Sequence, residues 1–347
     1  MKVLRYKKPN DSDIQFGVFL NNFCISFQDL QKINQVDYPY LNQINSYMQN
    51  HPESEQQAVS LIEYFRQQFP RMSSKYFIPL DKVEILPPLY PPAALLDFGL
   101  SPRHMKNSAL TLMKYEKKWP IRPVIRSLIK FFYSDKNASY KYYKGNHNSV
   151  TGHQDLIQWP AFTSYLDIEP ELGVIVGNAR HNMPWEEIDS AIAGYTIFND
   201  LSARDVQWPE MKGMFGPTSC KDFKTSNGIG PFIVSRDEVS DPLDLQVTVN
   251  IGDRLYFQGN TSEYSRTPRE VIYYLTRYQD IAPGTLIGMG TIPGCCGLDR
   301  DEWLLPGEHV QIGMDNLGIL NQVITDDLPR LQPTRWPARP ELGKYYR

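Results

Sequence analysis

The chain has 347 residues, 41% hydrophobic and 22% charged, enough to bury a large core and too apolar for a disordered polymer. A formal net charge of −3 excludes the basic footprint expected of a nucleic-acid or anionic-membrane binder. No apolar run approaches the ~20 residues needed to cross a bilayer, so a small-molecule partner is expected.

The opening stretch MKVLRYKKPNDSD is basic but lacks the apolar segment of a secretory leader, which predicts a cytoplasmic location. Strand-like pieces follow, KVLRY, FGVFL and CISF, and then a Gln/Asn-rich region in which LIEYFRQQF has helical spacing. Together these predict a small N-terminal module over residues 1–90. From Pro87 to Ala94 the chain is rich in proline, which favours an extended linker, and a main domain over residues 91–347 is expected to begin there. Beyond it, apolar runs recur between Gly, Pro and Asn: AALLDFG, ELGVIVG, AGYTIFND, GIGPFIVS, DLQVTVNIG, TLIGMGT and EHVQIGM. Their β-branched composition predicts a mainly β, α+β domain. Helices are predicted from Trp185 to Ala193 and from Pro268 to Gln279, and the Pro- and Arg-rich tail from Pro329 reads as a surface arm. Cys24, Cys220, Cys295 and Cys296 show neither a disulfide framework nor a CxxC zinc pattern, and the adjacent pair reads as loop thiols. Trp159 and Phe162 read as core.

The stretch LDIEPELGVIVG, Leu166 to Gly177, places Asp167, Glu169 and Glu171 in front of an apolar run. In a strand, residues two apart share a face, so Glu169 and Glu171 project side by side, and Pro170 between them fits a strand edge or start. Adjacent carboxylates repel and take up protons unless a cation lies between them. Solvated acids at a strand end would read the same way. Asp97 and Asp200 also close apolar runs, in AALLD and GYTIFND, where a strand meets a functional loop. Such an all-oxygen set suits Mg²⁺, with Ca²⁺ or Mn²⁺ as alternatives, and not zinc.

LDIEPELGVIVG, NDLSARDVQ, CKDFKTSNGIGPFIVS and PGTLIGMGTIPG, in that order from about Asp97 to Val323, resemble the successive signatures of the fumarylacetoacetate hydrolase superfamily. DFGLSPRH, Asp97 to His104, further resembles its fumarylacetoacetase-like branch. The resemblance implies a mixed β-roll with a small SH3-like barrel at the N-terminus, a homodimer, and Asp97, Glu169, Glu171 and Asp200 as metal ligands. It places Lys221 and Thr225 beside the metal and gives Lys221 a share in stabilising negative charge. His104, on spacing alone as readily a loop histidine, would be the general base; its acidic partner would be Asp299, with Asp301 and Glu302 as further candidates. Gln207, Thr291 and Tyr133 resemble substrate contacts. Arg204 matches a pattern position too, but an ion pair with Asp205 that anchors the loop accounts for it more simply.

Three positions depart from that branch: Gly99 and Met211 replace tyrosines and Met113 an arginine, with Lys114 as a substitute cation. A less polar substrate is therefore expected. The resemblance implies hydrolytic carbon–carbon cleavage of a 1,3-dicarbonyl compound such as a β-diketone or acylpyruvate. Alternatives are decarboxylation, hydration, isomerisation or cyclisation of an oxo acid or polyketide-like compound, or a binding protein that has lost activity.

Overall fold

The structure, a computed structural model, describes residues 1–68, 76–115, 140–213 and 216–346. In chain order its strands are β1 (Lys2–Lys7), β2 (Ile14–Leu20), β3 (Phe23–Ser26), β4 (Ile78–Pro79), β5 (Glu84–Leu86), β6 (Leu95–Phe98), β7 (Tyr142–Gly145), β8 (Val150–Thr151), β9 (Leu156–Ile157) and β10 (Leu166–Asp167). They continue as β11 (Pro170–Val176), β12 (Ile192–Asp200), β13 (Ser202–Ala203), β14 (Asn227–Val234), β15 (Gln246–Ile251), β16 (Leu255–Asn260), β17 (Leu286–Gly288), β18 (His309–Met314) and β19 (Gly318–Ile324). The α-helices are α1 (Phe27–Asn34), α2 (Ile44–Gln49), α3 (Glu53–Gln68), α4 (Pro102–Tyr115), α5 (Arg204–Lys212), α6 (Pro268–Thr276) and α7 (Gly297–Arg300).

A mixed twelve-stranded sheet forms the frame, with its main path running β4-β3-β2-β1-β14-β12-β11-β17-β6-β7. Every residue of β11, β12 and β14 is buried. Their near-continuous apolar sequences reflect strands covered on both faces, where period-two alternation disappears. Pro170 is the first residue of β11, so its missing N–H costs no ladder bond even though this strand is central. A five-stranded sheet, β16-β15-β18-β19-β9, packs against the first, and between them lies a core that includes Leu172, Val174, Ile197, Val249 and Ile312. The N-terminal strands extend the large sheet directly, since Lys2 of β1 pairs with Val234 of β14. Helices α1 to α3 close a second core around Phe27, Leu30, Tyr47 and Phe65. The LIEYFRQQ part of LIEYFRQQF, Leu61 to Gln68, lies within α3.

Three expectations are corrected. Residues Trp185–Ala191 form a 3₁₀ helix rather than an α-helix, entered from Pro184. Helix α6 stops at Thr276 and not at Gln279; its start is fixed by a reciprocal cap in which Thr267 Oγ1 accepts the Glu270 N–H and Glu270 accepts the Thr267 N–H. The C-terminal tail is no surface arm. Leu331, Trp336 and Leu342 are buried, the Trp336 ring stacks on Tyr115 at 4.3 Å, and Arg339 Nη1 donates to the carbonyls of Ser164 and Leu304. Its apolar residues outweigh its polar composition because Trp336 fills an aromatic cluster with Tyr165 and Trp303 while Leu331 and Leu342 join the main core. Trp159 is buried and Phe162 partly so. No helix among the described residues is long and apolar enough to cross a membrane.

Candidate active site

Strand pairing brings three carboxylates together. β17 lies between β6 and β11, with Gly288 opposite Asp97 on one side and Gly173 on the other. Glu171 faces Phe198 across β11 and β12, and Asp200 lies two residues beyond Phe198, on the same face. Ligand oxygens of Asp97, Glu171 and Asp200 all lie within 4.8 Å of one another, and all three residues are buried. Gly288 permits this approach. A Cβ there would sit 2.5 Å from Asp97 Oδ1 and 2.6 Å from Glu171 Oε2.

Glu169 belongs to a different charge environment. Lys221 Nζ bonds both Glu169 Oε2 and Asp200 Oδ2, Arg204 Nη2 lies 2.8 Å from Glu169 Oε1, and Ser202 Oγ donates to Oε2 at 3.0 Å. Thr291 Oγ1 donates to Glu169 Oε1 at 2.7 Å and lies 3.4 Å from Glu171 Oε1, so one hydroxyl links the two glutamates. The electrostatics divide accordingly. Burial and then the Asp200 charge push Glu171 up to about 8, and burial together with Glu171 and Asp200 drives Asp97 well above the carboxylate range. Against the same burial, Arg204 and Lys221 hold Glu169 well below it.

Asp97 Oδ1 and Asp200 Oδ1 are buried without a hydrogen-bond partner among the described residues. Orphaned buried oxygens on adjacent acids are costly unless protonated or bound to a cation. This all-oxygen donor set therefore fits a hard divalent ion. Tyr143, opposite Asp97 across β6 and β7, supports the cluster by donating its hydroxyl to Asp200 Oδ2 at 2.8 Å.

Helices α4 and α7 build the facing wall. Pro102 occupies the first turn of α4, and His104, Asn107 and Ser108, spaced i, i+3 and i+4, present one face to Asp299 of α7. His104 Nδ1 is 3.0 Å from Asp299 Oδ1, and Nε2 is 3.2 Å from Glu169 Oε1. Asp299 Oδ2 accepts the Gly294 N–H at 2.7 Å and sits 3.4 Å from Asn107 Nδ2. Burial works against the imidazolium, but the Asp299 and Cys296 charges raise His104 well above its ordinary value, and His104 in turn lowers Asp299 against the cost of its own burial. Asp301 is bound to Lys114 and to the Tyr115 hydroxyl.

Between these walls lies a cavity of about 290 Å³, lined by Asp97, His104, Glu169, Glu171, Lys221 and Thr291 at its floor. Gly99, Met105, Lys141, Tyr142, Gln207 and Met211 also line it. Thr225 does not line it; the Thr225 hydroxyl accepts the Gln158 N–H at 3.0 Å. Lys114 is also elsewhere, engaged by Asp301, which leaves it no role as the substitute cation of the cavity. Tyr133 lies outside the described residues.

The expected Arg204–Asp205 pair is corrected. Arg204 turns into the interior, with Nε and Nη2 each 2.9 Å from Asp167 Oδ2, while Asp205 accepts from the Thr163 hydroxyl and the Ser164 N–H. Asp167 is a buried anchor that also accepts the Gly297 and Leu298 N–H groups of α7. Cys295 and Cys296 lie in the loop before α7 and are fully buried. Sequence reasoning passed over Tyr143, Ser108 and Cys296. The HxxNS spacing on α4 was a local signal for Ser108, whereas Tyr143 is placed only by long-range pairing.

Glu210 fastens the loop that carries Lys221, accepting the N–H groups of Thr218 and Cys220 and the Ser219 hydroxyl. These bonds overcome burial and lower its carboxyl to about 2. Because the folded value is depressed, the associated stability is complete above the unfolded value near 4.5 and is lost as pH falls towards 2. Glu210→Gln is expected to flatten this acid limb, measured as denaturation midpoint against pH.

A sequence profile described as the fumarylacetoacetate (FAA) hydrolase C-terminal domain matches residues 130–325. An uncharacterized protein of Staphylococcus haemolyticus is 27% identical over 256 residues, covering 74% of this chain and 76% of its own. The fold is shared with maleylpyruvate hydrolase from Sphingobium sp. SYK-6, solved with manganese(II) and pyruvate, at TM-score 0.64 and 17% identity over 94% of this chain and 99% of that one. It is likewise shared with 2-hydroxyhepta-2,4-diene-1,7-dioate isomerase from Mycobacterium marinum, at TM-score 0.61 and 19% identity over 94% of this chain and 98% of that one.

Proposed function

The chain belongs to the fumarylacetoacetate hydrolase family, and from that premise we propose that it hydrolyses a carbon–carbon bond in a 1,3-dicarbonyl small molecule of the β-diketone or acylpyruvate class. The observation that carries this reading is that one cavity is lined by Asp97 and Glu171 of the three-carboxylate cluster and by His104 of the His104–Asp299 dyad. Asp97, Glu171 and Asp200, with Glu169 beside them, would hold Mg²⁺, or Mn²⁺ or Ca²⁺ in its place, whose chemistry is to polarise a carbonyl and offset developing negative charge.

The chain's own residues supply the proton transfers. Asp299 fixes the His104 ring through Nδ1, leaving Nε2 to face the cavity floor beside Glu169. With Asp299 on Nδ1, Nε2 of neutral His104 is the atom that takes a proton from water. The resulting hydroxide adds to one carbonyl carbon. The bond to the central carbon then breaks, its electron pair forming the enolate of the departing ketone, and the proton on His104 is available to that carbon. One water is consumed and one carboxylic acid and one ketone leave. Lys221, held charged by Asp200 and Glu169 despite burial, stabilises the oxyanion and enolate from the floor. Gln207 and Thr291 line the cavity where substrate oxygens would lie, with the Gln207 carbonyl oriented by Arg204 Nη1 at 2.9 Å. Gly99, Met105 and Met211 form an apolar stretch of the lining that suits an apolar substituent, beside Lys141 and Tyr142. A homodimer is proposed on the family premise.

The test is incubation with Mg²⁺ or Mn²⁺ and a panel of β-diketones, acylpyruvates and oxo acids, followed by mass spectrometry. Hydrolysis adds one water and yields two fragments. The isomerase that shares this fold motivates a second reading, in which the same residues shuttle a proton on an oxo acid and product mass is unchanged. Intact mass across the whole panel, with no fragment formed, sinks the hydrolytic reading. Tyr143→Phe is expected to keep the fold but weaken metal binding ~10- to 100-fold, as loss of a partner behind a metal ligand does; calorimetric titration with Mn²⁺ checks it.

A further inference from the structure

We propose that Cys296, His104 and Glu169 form a second metal site, which takes a thiophilic dication such as Zn²⁺ or Cd²⁺ beside the carboxylate cluster. One donor atom from each lies within 4.8 Å of the other two, and all three residues are buried. Cys296 Sγ is 3.7 Å from His104 Nδ1, and His104 Nε2 is 3.2 Å from Glu169 Oε1. Zinc bond lengths of about 2.0–2.3 Å set tetrahedral ligand atoms roughly 3.3–3.8 Å apart; because Cys296 faces Nδ1 and Glu169 faces Nε2, one ion takes a single ring nitrogen and the imidazole turns to bring the three donors together.

The chemistry of the donors separates the two sites. Asp97, Glu171 and Asp200 offer oxygen alone, which favours hard ions, whereas sulfur, imidazole nitrogen and carboxylate oxygen form a mixed set that favours zinc-like ions over Mg²⁺. Arg204 opposes a cation here, with Nη2 2.8 Å from Glu169 Oε1. Lys221, bonded to Glu169 Oε2, opposes it too; Asp167 on the guanidinium, Asp200 on the ammonium and Asp299 on His104 offset these two charges. Cys296 is held in place because the next residue's N–H, that of Gly297, bonds Asp167. Cys295 points elsewhere, under β16, where its Sγ would lie 2.8 Å from a Cβ added at Gly259.

A cation at this site engages the ring of His104 and so blocks proton transfer while leaving the carboxylate cluster filled. This consequence for turnover rests on the proposed function; the binding itself does not. The experiment is titration of the full chain, preloaded with Mg²⁺, with Cd²⁺, following the ultraviolet thiolate-to-cadmium charge-transfer band. Expected is a saturable band in the unaltered chain and in Cys295→Ser, and its loss in both Cys296→Ser and Cys296→Ala. His104→Gln, which keeps the thiol, is expected to weaken Cd²⁺ binding at least ~10-fold, since even outer partners of a metal site are worth that much. A band missing from the unaltered chain, or persisting in both Cys296 variants, overturns the site. Where a substrate is turned over, half-inhibition by Zn²⁺ should shift by the same factor in any Cys296 variant that retains activity; absence of turnover on every substrate counts against the proposed function and leaves the Cd²⁺ result to decide the site.

Discussion

Replacing His104 with alanine is expected to lower turnover by ~10²- to 10⁴-fold, the range that one positioned general base contributes, while Mg²⁺ or Mn²⁺ binding measured by calorimetry persists. The separation follows from the geometry. Asp97, Glu171 and Asp200 are carried on three strands of one sheet, and their convergence depends on Gly288 and Tyr143, not on α4. His104 approaches from the other wall and touches the metal-facing acids only through Glu169, which retains Lys221, Ser202 and Thr291 when the imidazole is gone. Asp299→Asn is the companion variant. It preserves shape but removes the charge opposite Nδ1, so the ring loses its orienting partner and turnover should fall less than for His104→Ala. Full turnover in His104→Ala with metal bound would discard the histidine as base, and metal binding lost along with turnover would mean that the two walls are not independent.

The carboxylates were legible because each lies where an apolar run begins or ends, and strand periodicity puts acids at such positions on one face. Asp97, Glu171 and Asp200 needed no knowledge of the tertiary pairing to be suspected, only the observation that buried strands seldom end in charge without a use. Other features depended on contacts that no local spacing encodes. Tyr143 reaches Asp200 only because β7 pairs with β6. Arg204 and Asp205 are adjacent in sequence and so suggest a pair, yet neighbours at the start of a helix point in different directions, and each finds a distant partner. In the tail, prolines and arginines hid the pattern of Leu331, Trp336 and Leu342: Trp336 meets Tyr115, Tyr165 and Trp303 from separate parts of the chain, and the two leucines join the main core. Strand content was readable from β-branched runs, but the mixed order of the sheet was not, because β1 joining β14 and β17 joining β6 are choices made between distant strands.

Arg204→Met is expected to destabilise the fold by about 3–5 kcal/mol, the cost of leaving a buried charge without its partner, seen as a lowered denaturant midpoint. The guanidinium is buried and joins Asp167, Glu169 and Gln207 at 2.8 to 2.9 Å. The two acids do not suffer equally from its loss. Glu169 keeps Lys221 as a countercharge, whereas Asp167 retains only N–H donors, from Ile168, Gly297 and Leu298. Most of the penalty should therefore come from Asp167, and adding Asp167→Asn to Arg204→Met should recover part of it, because the amide carries no charge to strand. A double-mutant cycle isolates that coupling. The cycle also bears on catalysis, since Asp167 holds the start of α7 and α7 positions Asp299 against His104. Turnover should consequently fall in Arg204→Met even under conditions where the protein remains folded. A midpoint within error of the unaltered chain would show that Asp167 takes up a proton instead, at little cost, and would remove Arg204 from the set of residues that hold the site together.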